Sequence, residues 1–160
     1  MTGAGGYDTY KFEEVTGRTN QLTINNGTGG NGASGELDFG AGLTAQNLWL
    51  VQSGQDLVID VLGTNDSVTV KNWFLANQTS SQLSEIKLSD GTEIDAGVST
   101  LVNAMATYSA GHGTFNPTAA NTTMPSDTTL QNAITANWHT ERTGAISSGR
   151  APCPACLICR

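Results

Sequence analysis

Residues 3–12 read GAGGYDTYKF, a glycine-rich turn that leads directly into an alternating strand. Glycine reaches the positive φ values that sharp turns need, so Gly3, Gly5 and Gly6 allow the backbone to point its carbonyl groups inward. Asp8 adds a carboxylate oxygen, and carbonyl and carboxylate oxygens are the ligands that Ca²⁺ prefers. The stretch therefore predicts a calcium-binding turn followed by a short strand.

The same alternation of short strand and glycine-rich turn continues to residue 40. Each of three triplets places two large residues on one face and a polar residue on the other: Tyr10-Lys11-Phe12, Leu22-Thr23-Ile24 and Leu37-Asp38-Phe39. A period of two is typical of strands. Short strands separated by glycine turns are typical of a parallel β-roll.

Only the first of these turns retains its acid. Asn20 and Gly35 stand at the positions where the next two turns would carry an Asp. A calcium ion shared between successive turns receives about half of its ligands from each of them. We therefore predict an incomplete metal site that preceding turns would finish, formed by Gly3, Gly5, Gly6, Asp8 and Asn20.

Residues 43–98 carry longer strand patterns joined by tight turns. LWLV, DLVIDV and SVTVKNWF follow one another and predict an antiparallel meander, and EIKL with TEID predicts a further hairpin. We interpret the large apolar side chains of this block, Trp49, Trp73 and Phe74, as core residues. The alternative is an exposed aromatic face that binds carbohydrate.

From Ser99 the period becomes helical. One predicted helix has Ser99 as its N-cap, and a second has Ser126 as its N-cap and Asp127 in its first turn. The predicted buried faces are Leu101, Val102, Met105 and Tyr108 in the first helix, and Leu130, Ile134 and Trp138 in the second.

Charge and cysteine content exclude several functions. The net charge of -7 and the sequence pI of about 4.5 disfavour nucleic acid and anionic membrane and favour cations. No apolar run has the length of a membrane span, and no cleavable secretory signal is recognisable at the N-terminus. All three cysteines lie in CPACLIC (153–159), so the body cannot be a disulfide scaffold.

Catalytic motifs are missing from the sequence. The chain has no G-x-S-x-G and no H-E-x-x-H. Of its two histidines, His112 has no adjacent cysteine or acid, and His139 closes a predicted helix, where a cation is favourable for structural reasons. We interpret both histidines as structural. The sequence predicts that the chain is not an enzyme.

Residues 1–140 resemble the C-terminal end of a repeats-in-toxin (RTX) protein of the haemolysin-type calcium-binding family. Three stretches carry the resemblance: the nonapeptide at 3–11, the region from LDFGAGLT to DSVTVKNWF with the hairpin after it, and the helical segments LVNAMATYSA and LQNAITANWH. The resemblance implies a parallel β-roll, calcium-triggered folding outside a bacterial cell, and export by a type I secretion system without a cleaved signal peptide.

The resemblance also implies a division of the chain. We expect degenerate RTX β-roll turns at 1–42, an antiparallel β cap at 43–98, a helical secretion-signal region at 99–140 and an atypical, disordered tail at 141–160. The fold class is mainly β, the last turns of a parallel β-roll capped by an antiparallel β-region, with one or two short C-terminal helices.

The function implied is a non-catalytic, calcium-responsive folding cap and secretion region of a secreted, extracellular protein. Its expected partners are Ca²⁺, the type I secretion machinery and upstream RTX repeats of a longer parent chain. A homodimer through the open roll end is a further expectation, because an uncapped roll leaves strand edges unpaired. The alternative is a carbohydrate- or surface-binding module of an extracellular adhesin or enzyme.

Overall fold

A computed structural model of the chain describes residues 1–3, 6–14, 17–27, 34–76 and 79–140. Within these residues there are nine strands and two α-helices, which confirms the prediction of a mainly β fold with short helices. In chain order they are β1 (Thr9–Phe12), β2 (Gln21–Ile24), β3 (Glu36–Phe39), β4 (Leu48–Ser53), β5 (Asp56–Val61), β6 (Ser67–Val70), β7 (Glu85–Lys87), β8 (Thr92–Ile94), α1 (Val98–Gly111), α2 (Thr128–Asn137) and β9 (His139–Thr140).

The strands form two mixed sheets. Sheet one has the order β1-β3-β7-β8-β9, and sheet two has the order β2-β6-β5-β4. The predicted triplets all lie in strands, and their large residues turn inward, as Tyr10 and Phe12 do at 4 % and 1 % exposure. Inward residues of both sheets belong to one continuous apolar core, as the period-two pattern predicts.

Parallel pairing links successive passes of the chain. β1 pairs with β3 and β3 with β7 in sheet one, and β2 pairs with β6 in sheet two, all in parallel. The predicted meander is present, since β4, β5 and β6 pair in antiparallel fashion, and so is the β7–β8 hairpin. Parallel pairing therefore occurs on both sides of residue 42, and the domain boundaries stay predictions.

Both helices lie on the side of the molecule where β4 forms the edge of sheet two. α1 lies against β4 and α2. Of its predicted buried face, Leu101, Val102 and Met105 are buried and Tyr108 is partly buried. In α2 the predicted residues Leu130 and Ile134 are buried. Among the described residues, neither helix is long and apolar enough to cross a membrane.

The predicted N-caps of both helices are wrong. α1 begins at Val98, whose side chain is buried in the first turn. The N-cap of α1 is therefore Gly97, which has no side chain to form a capping hydrogen bond. α2 is capped by Asp127 and not by Ser126, since the Asp127 carboxylate accepts a hydrogen bond of 2.9 Å from the Leu130 N–H. An extended residue whose carboxylate reaches the free N–H groups of the first turn is a favourable cap.

Candidate functional site

The predicted metal ligands lie directly before strands, at equivalent positions of the two sheets. Asp8 precedes β1, and its carbonyl oxygen accepts a hydrogen bond of 2.8 Å from the Glu36 N–H. Asn20 precedes β2, and its carbonyl oxygen accepts a hydrogen bond of 3.1 Å from the Ser67 N–H. Because consecutive passes alternate between sheets, the two residues belong to separate turns, one for each sheet.

The first turn brings Gly3 and Asp8 together. A Cβ atom placed on Gly3 would lie 2.6 Å from Asp8 Oδ2 and 2.6 Å from Tyr10 Oη, so only glycine allows this approach. Gly6 has a φ of +98°, the conformation for which glycine is needed. Gly5, the remaining predicted member, lies outside the described residues. The described part of the turn therefore offers the Asp8 carboxylate as its charged ligand.

A buried hydrogen-bond network lies beside this carboxylate. Asn26 is only 6 % exposed; its Oδ1 accepts a hydrogen bond of 2.9 Å from Tyr10 Oη. Its Nδ2 donates to the carbonyl oxygens of Ser34 at 2.7 Å and Gln82 at 3.0 Å. Burial and the negative charge of Asp8 raise the pKa of Tyr10, so the phenol remains a donor. This network joins three passes of the chain.

The second turn pairs Asn20 with Asp66, a residue that the motif and strand patterns of the sequence do not single out. The Asn20 N–H donates a hydrogen bond of 2.7 Å to Asp66 Oδ1, and Asp66 is 3 % exposed. Gly17 and Gly63 lie three residues before them, with φ values of +80° and +77°. The two turns therefore share one spacing, and that repeat was the signal in the sequence that could have identified Asp66.

A polar cleft of about 540 Å³ lies between these two turns. The Asp66 and Glu14 side chains line it, together with Arg18. A calcium ion takes six to eight oxygen ligands, a number that two carboxylates approach only with the carbonyl oxygens of the turns. Among the described residues no group of three or more His, Cys, Asp or Glu could hold a metal ion. The cleft thus combines two carboxylates with the Arg18 guanidinium, and its described residues provide only part of a calcium coordination shell.

The aromatic residues considered for carbohydrate binding belong to the core. Trp49 and Trp73 are 1 % and 4 % exposed, and Phe74 packs against the core while partly buried. Trp49 lies 4.5 Å from Phe115 and 5.9 Å from Tyr108 between ring centroids. The core interpretation is confirmed, and the exposed aromatic face is wrong, because α1 and the segment after it cover this side of β4.

The two histidines have separate structural surroundings. The His112 ring stacks on Tyr108 at 4.0 Å, and its Nδ1 lies 2.9 Å from the Tyr108 carbonyl oxygen. That contact fits the end of a helix, where carbonyl groups lack donors. His139 Nε2 lies 3.6 Å from Glu93 Oε1 on the neighbouring strand. The histidines thus belong to different elements.

Comparison with known families concerns the segment from β5 through the β7–β8 hairpin, which includes Asp66. The model that matches describes a calcium-binding domain and not an enzyme family. The match covers a short part of the chain, and over that part it confirms the RTX resemblance predicted from the sequence. Residues 56–97 are thus similar to the haemolysin-type calcium binding protein related domain.

Proposed function

We propose that the chain is a calcium-responsive folding cap and type I secretion region of an exported RTX protein, without catalytic activity of its own. The observation that carries this proposal is the pair of equivalent turns, Gly17 to Asn20 and Gly63 to Asp66, which precede parallel strands. The family match includes the turn from Gly63 to Asp66, and this match supports the proposal.

Calcium would contribute a divalent charge that holds carboxylates and carbonyl oxygens together. In sheet two, the ion would be held by Asp66, Glu14 and carbonyl oxygens of the turns at 17–20 and 63–66. In sheet one, it would be held by the Asp8 carboxylate. The chain itself positions these oxygens, because glycines with positive φ turn the backbone before each strand. With a net charge of -7, ion binding also relieves repulsion in the folded chain.

A calcium titration tests this function. We expect about 10 mM calcium to raise the melting temperature of the chain over that in chelator, with midpoints in the range of weak extracellular calcium modules. Asp66→Asn should abolish most of the shift. The matched control is Asp90→Asn, because Asp90 also lies in a turn and accepts a backbone hydrogen bond from Thr92, but in the β7–β8 hairpin.

Two further variants keep the test decisive. Glu14 is exposed, so Glu14→Gln should fold normally and weaken the calcium response even where Asp66→Asn destabilises the turn. Asp8→Ala should reduce the calcium-induced rise in melting temperature, because it removes the carboxylate that would bind calcium in sheet one. Identical melting curves of the parent chain in chelator and in calcium would refute a calcium role for these residues.

The secretion role has its own experiment. A reporter is fused ahead of the full chain, of a chain ending at residue 140 and of a chain ending at residue 98, and export through a type I secretion system is measured. We expect the first two fusions in the medium and the third inside the cell. Export of the fusion that ends at residue 98 would contradict the assignment of 99–140 as the signal region.

A further inference from the structure

The outer face of sheet one carries a row of charges in register across all five strands. Lys11 on β1 lies beside Asp38 on β3, and Asp38 lies beside Lys87 on β7. Lys87 pairs with Glu93 on β8, which pairs with His139 on β9. Basic and acidic side chains therefore alternate along the row, and opposite charges on neighbouring strands are stabilising.

Lys87 also contacts the neighbouring row of the same face, in which Glu36 lies opposite Glu85. Lys87 Nζ lies 3.0 Å from Glu36 Oε2 and 3.5 Å from Glu85 Oε2. Burial and the negative charge of Glu36 raise the pKa of Asp38, whereas the positive charges of Lys11 and Lys87 act to lower it. Lys11 is exposed and ends the row, with an acid on its β3 side.

Among the described residues, no strand pairs with β1 on the side away from β3. The carbonyl oxygens of Asp8 and Phe12 accept hydrogen bonds from residues of sheet one. In a parallel ladder the intervening residues, Thr9 and Lys11, direct their N–H and C=O groups to the opposite side. β1 is thus an edge with hydrogen-bonding groups arranged for one more strand.

Sheet two already has an additional pass at the corresponding edge. Thr2 forms a parallel bridge with Asn25, and the Gly3 N–H donates a hydrogen bond of 3.0 Å to the Asn25 carbonyl oxygen. The Asn25 N–H in turn donates to the Met1 carbonyl oxygen at 2.9 Å. Residues 1–3 therefore extend sheet two beyond β2, while sheet one ends at β1 within the described residues.

We propose that the edge of β1 accepts one further parallel strand, which carries Asp or Glu opposite Lys11 and an apolar residue opposite Tyr10. The charge alternation selects the acid, and the inward position of Tyr10 selects the apolar residue. This inference rests on the proposed function, because it takes that strand from an upstream turn of a longer RTX chain.

Within the four residues of β1, a second copy of this chain supplies no acid opposite Lys11. Two β1 strands in parallel register place Lys11 opposite Lys11. In an antiparallel pair Lys11 lies opposite Thr9 or Lys11, and it meets Glu13 only where pairing runs past Phe12 and places Glu14 opposite Tyr10. The homodimer expected from the open roll end thus meets this edge less well than an acidic upstream strand does.

The experiment adds one turn to the chain. A second copy of residues 6–25 replaces Met1 and Thr2 before Gly3, behind a new initiating methionine, so that its asparagine corresponding to Asn25 takes the position of Thr2. The lysine of the added strand then faces Lys11. It is tested as lysine, as neutral glutamine and as glutamate, each on the parent background and with Lys11→Glu.

On the parent background we expect the glutamate chain to melt about 2 °C above the glutamine chain and the lysine chain to melt below it. With Lys11→Glu the order should reverse. Amide exchange of Thr9 and Lys11 should slow in the extended chains. Equal melting temperatures in the three chains, or exchange of these amides as fast as in the unextended chain, would overturn the inference.

Measurements with and without calcium separate this inference from the proposed function. A calcium-induced rise in melting temperature that is the same for all three added residues would support calcium binding and reject the charge rule. The predicted order without any calcium response would support the charge rule and reject calcium-triggered folding. The two outcomes are therefore distinguishable.

Discussion

The edge strand β4 is covered, whereas the edge strand β1 at the other end of the sandwich projects its backbone groups away from the sheet. At β4 the Leu50 N–H meets Met105 Sδ of α1 at 2.9 Å, and Trp49 packs under Tyr108 and Phe115. Covering an edge prevents pairing with other chains, so sheet two is closed at β4, whereas sheet one can be extended at β1.

The two ends also differ in what stabilises them. Aromatic packing joins β4 to the helical region, while buried hydrogen bonds of Asn26 join the passes near β1. The stability that aromatic packing contributes depends on the large apolar area that it buries. A buried amide is stabilising only when all of its hydrogen bonds are formed. Substitutions at the two ends should therefore fail by different mechanisms and with different magnitudes.

The largest effect is expected from Trp49→Ala at the covered end. Removing a fully buried indole leaves a cavity below Phe115 and should lower the free energy of unfolding by about 3–5 kcal/mol. Urea unfolding measures the loss. Tyr7→Ala is the comparison: the ring is 57 % exposed, so its removal takes away the hydrogen bonds of its hydroxyl to Glu36 and Glu85 but no core packing, and should cost about 1 kcal/mol. Equal losses in the two variants would contradict the role assigned to the covered end.

Asn26→Ala should have an intermediate effect at the open end. The change leaves the Tyr10 hydroxyl and two carbonyl oxygens without their partner, which should cost about 2 kcal/mol in urea unfolding. The control is Asn103→Ala on the exposed face of α1. A neutral Asn26→Ala would mean that the network does not join the passes.

Local pattern explains how much of this comparison the sequence predicts. The strands around Tyr10 and Leu37 and the helix face at Leu101 follow from periodicities of two and 3.6. The return of β6 to parallel pairing with β2 does not, because the partner of a strand lies far away in sequence and leaves no local signal. The sequence therefore predicts the antiparallel meander of β4, β5 and β6, but it does not predict the parallel pairing of β6 with β2.

The candidate site shows the same limit. The sequence indicates Asp8 because its turn follows the glycine-rich nonapeptide, with Ala4 at the second glycine position, whereas Asp66 has only Gly63 before it, at the spacing of Gly17 before Asn20. Only the parallel register of β2 with β6 brings the two turns together. Spacing repeated in two turns becomes informative when their strands are known to be neighbours.

The smallest effects are expected from two aspartates on β5, measured in chelator. Asp56 bonds to Lys71 and accepts the Asn72 N–H at 2.8 Å, and these bonds lower its pKa. Asp60 lies beside Trp49 in register, and burial raises its pKa. At about pH 7, Asp56→Asn should destabilise the chain and Asp60→Asn should stabilise it, each by less than about 1 kcal/mol.

The pH dependence of the two variants follows from the direction of each pKa shift. The contribution of Asp56 is present above the unfolded pKa of about 3.9 and is lost as pH falls through its lower folded pKa. The penalty of Asp60 is present above its raised folded pKa and disappears as pH falls toward about 3.9. Urea unfolding from about pH 7 to about pH 3 should thus bring the Asp60→Asn curve onto that of the parent before the Asp56→Asn curve. Convergence in the opposite order would show that the covered end does not desolvate Asp60.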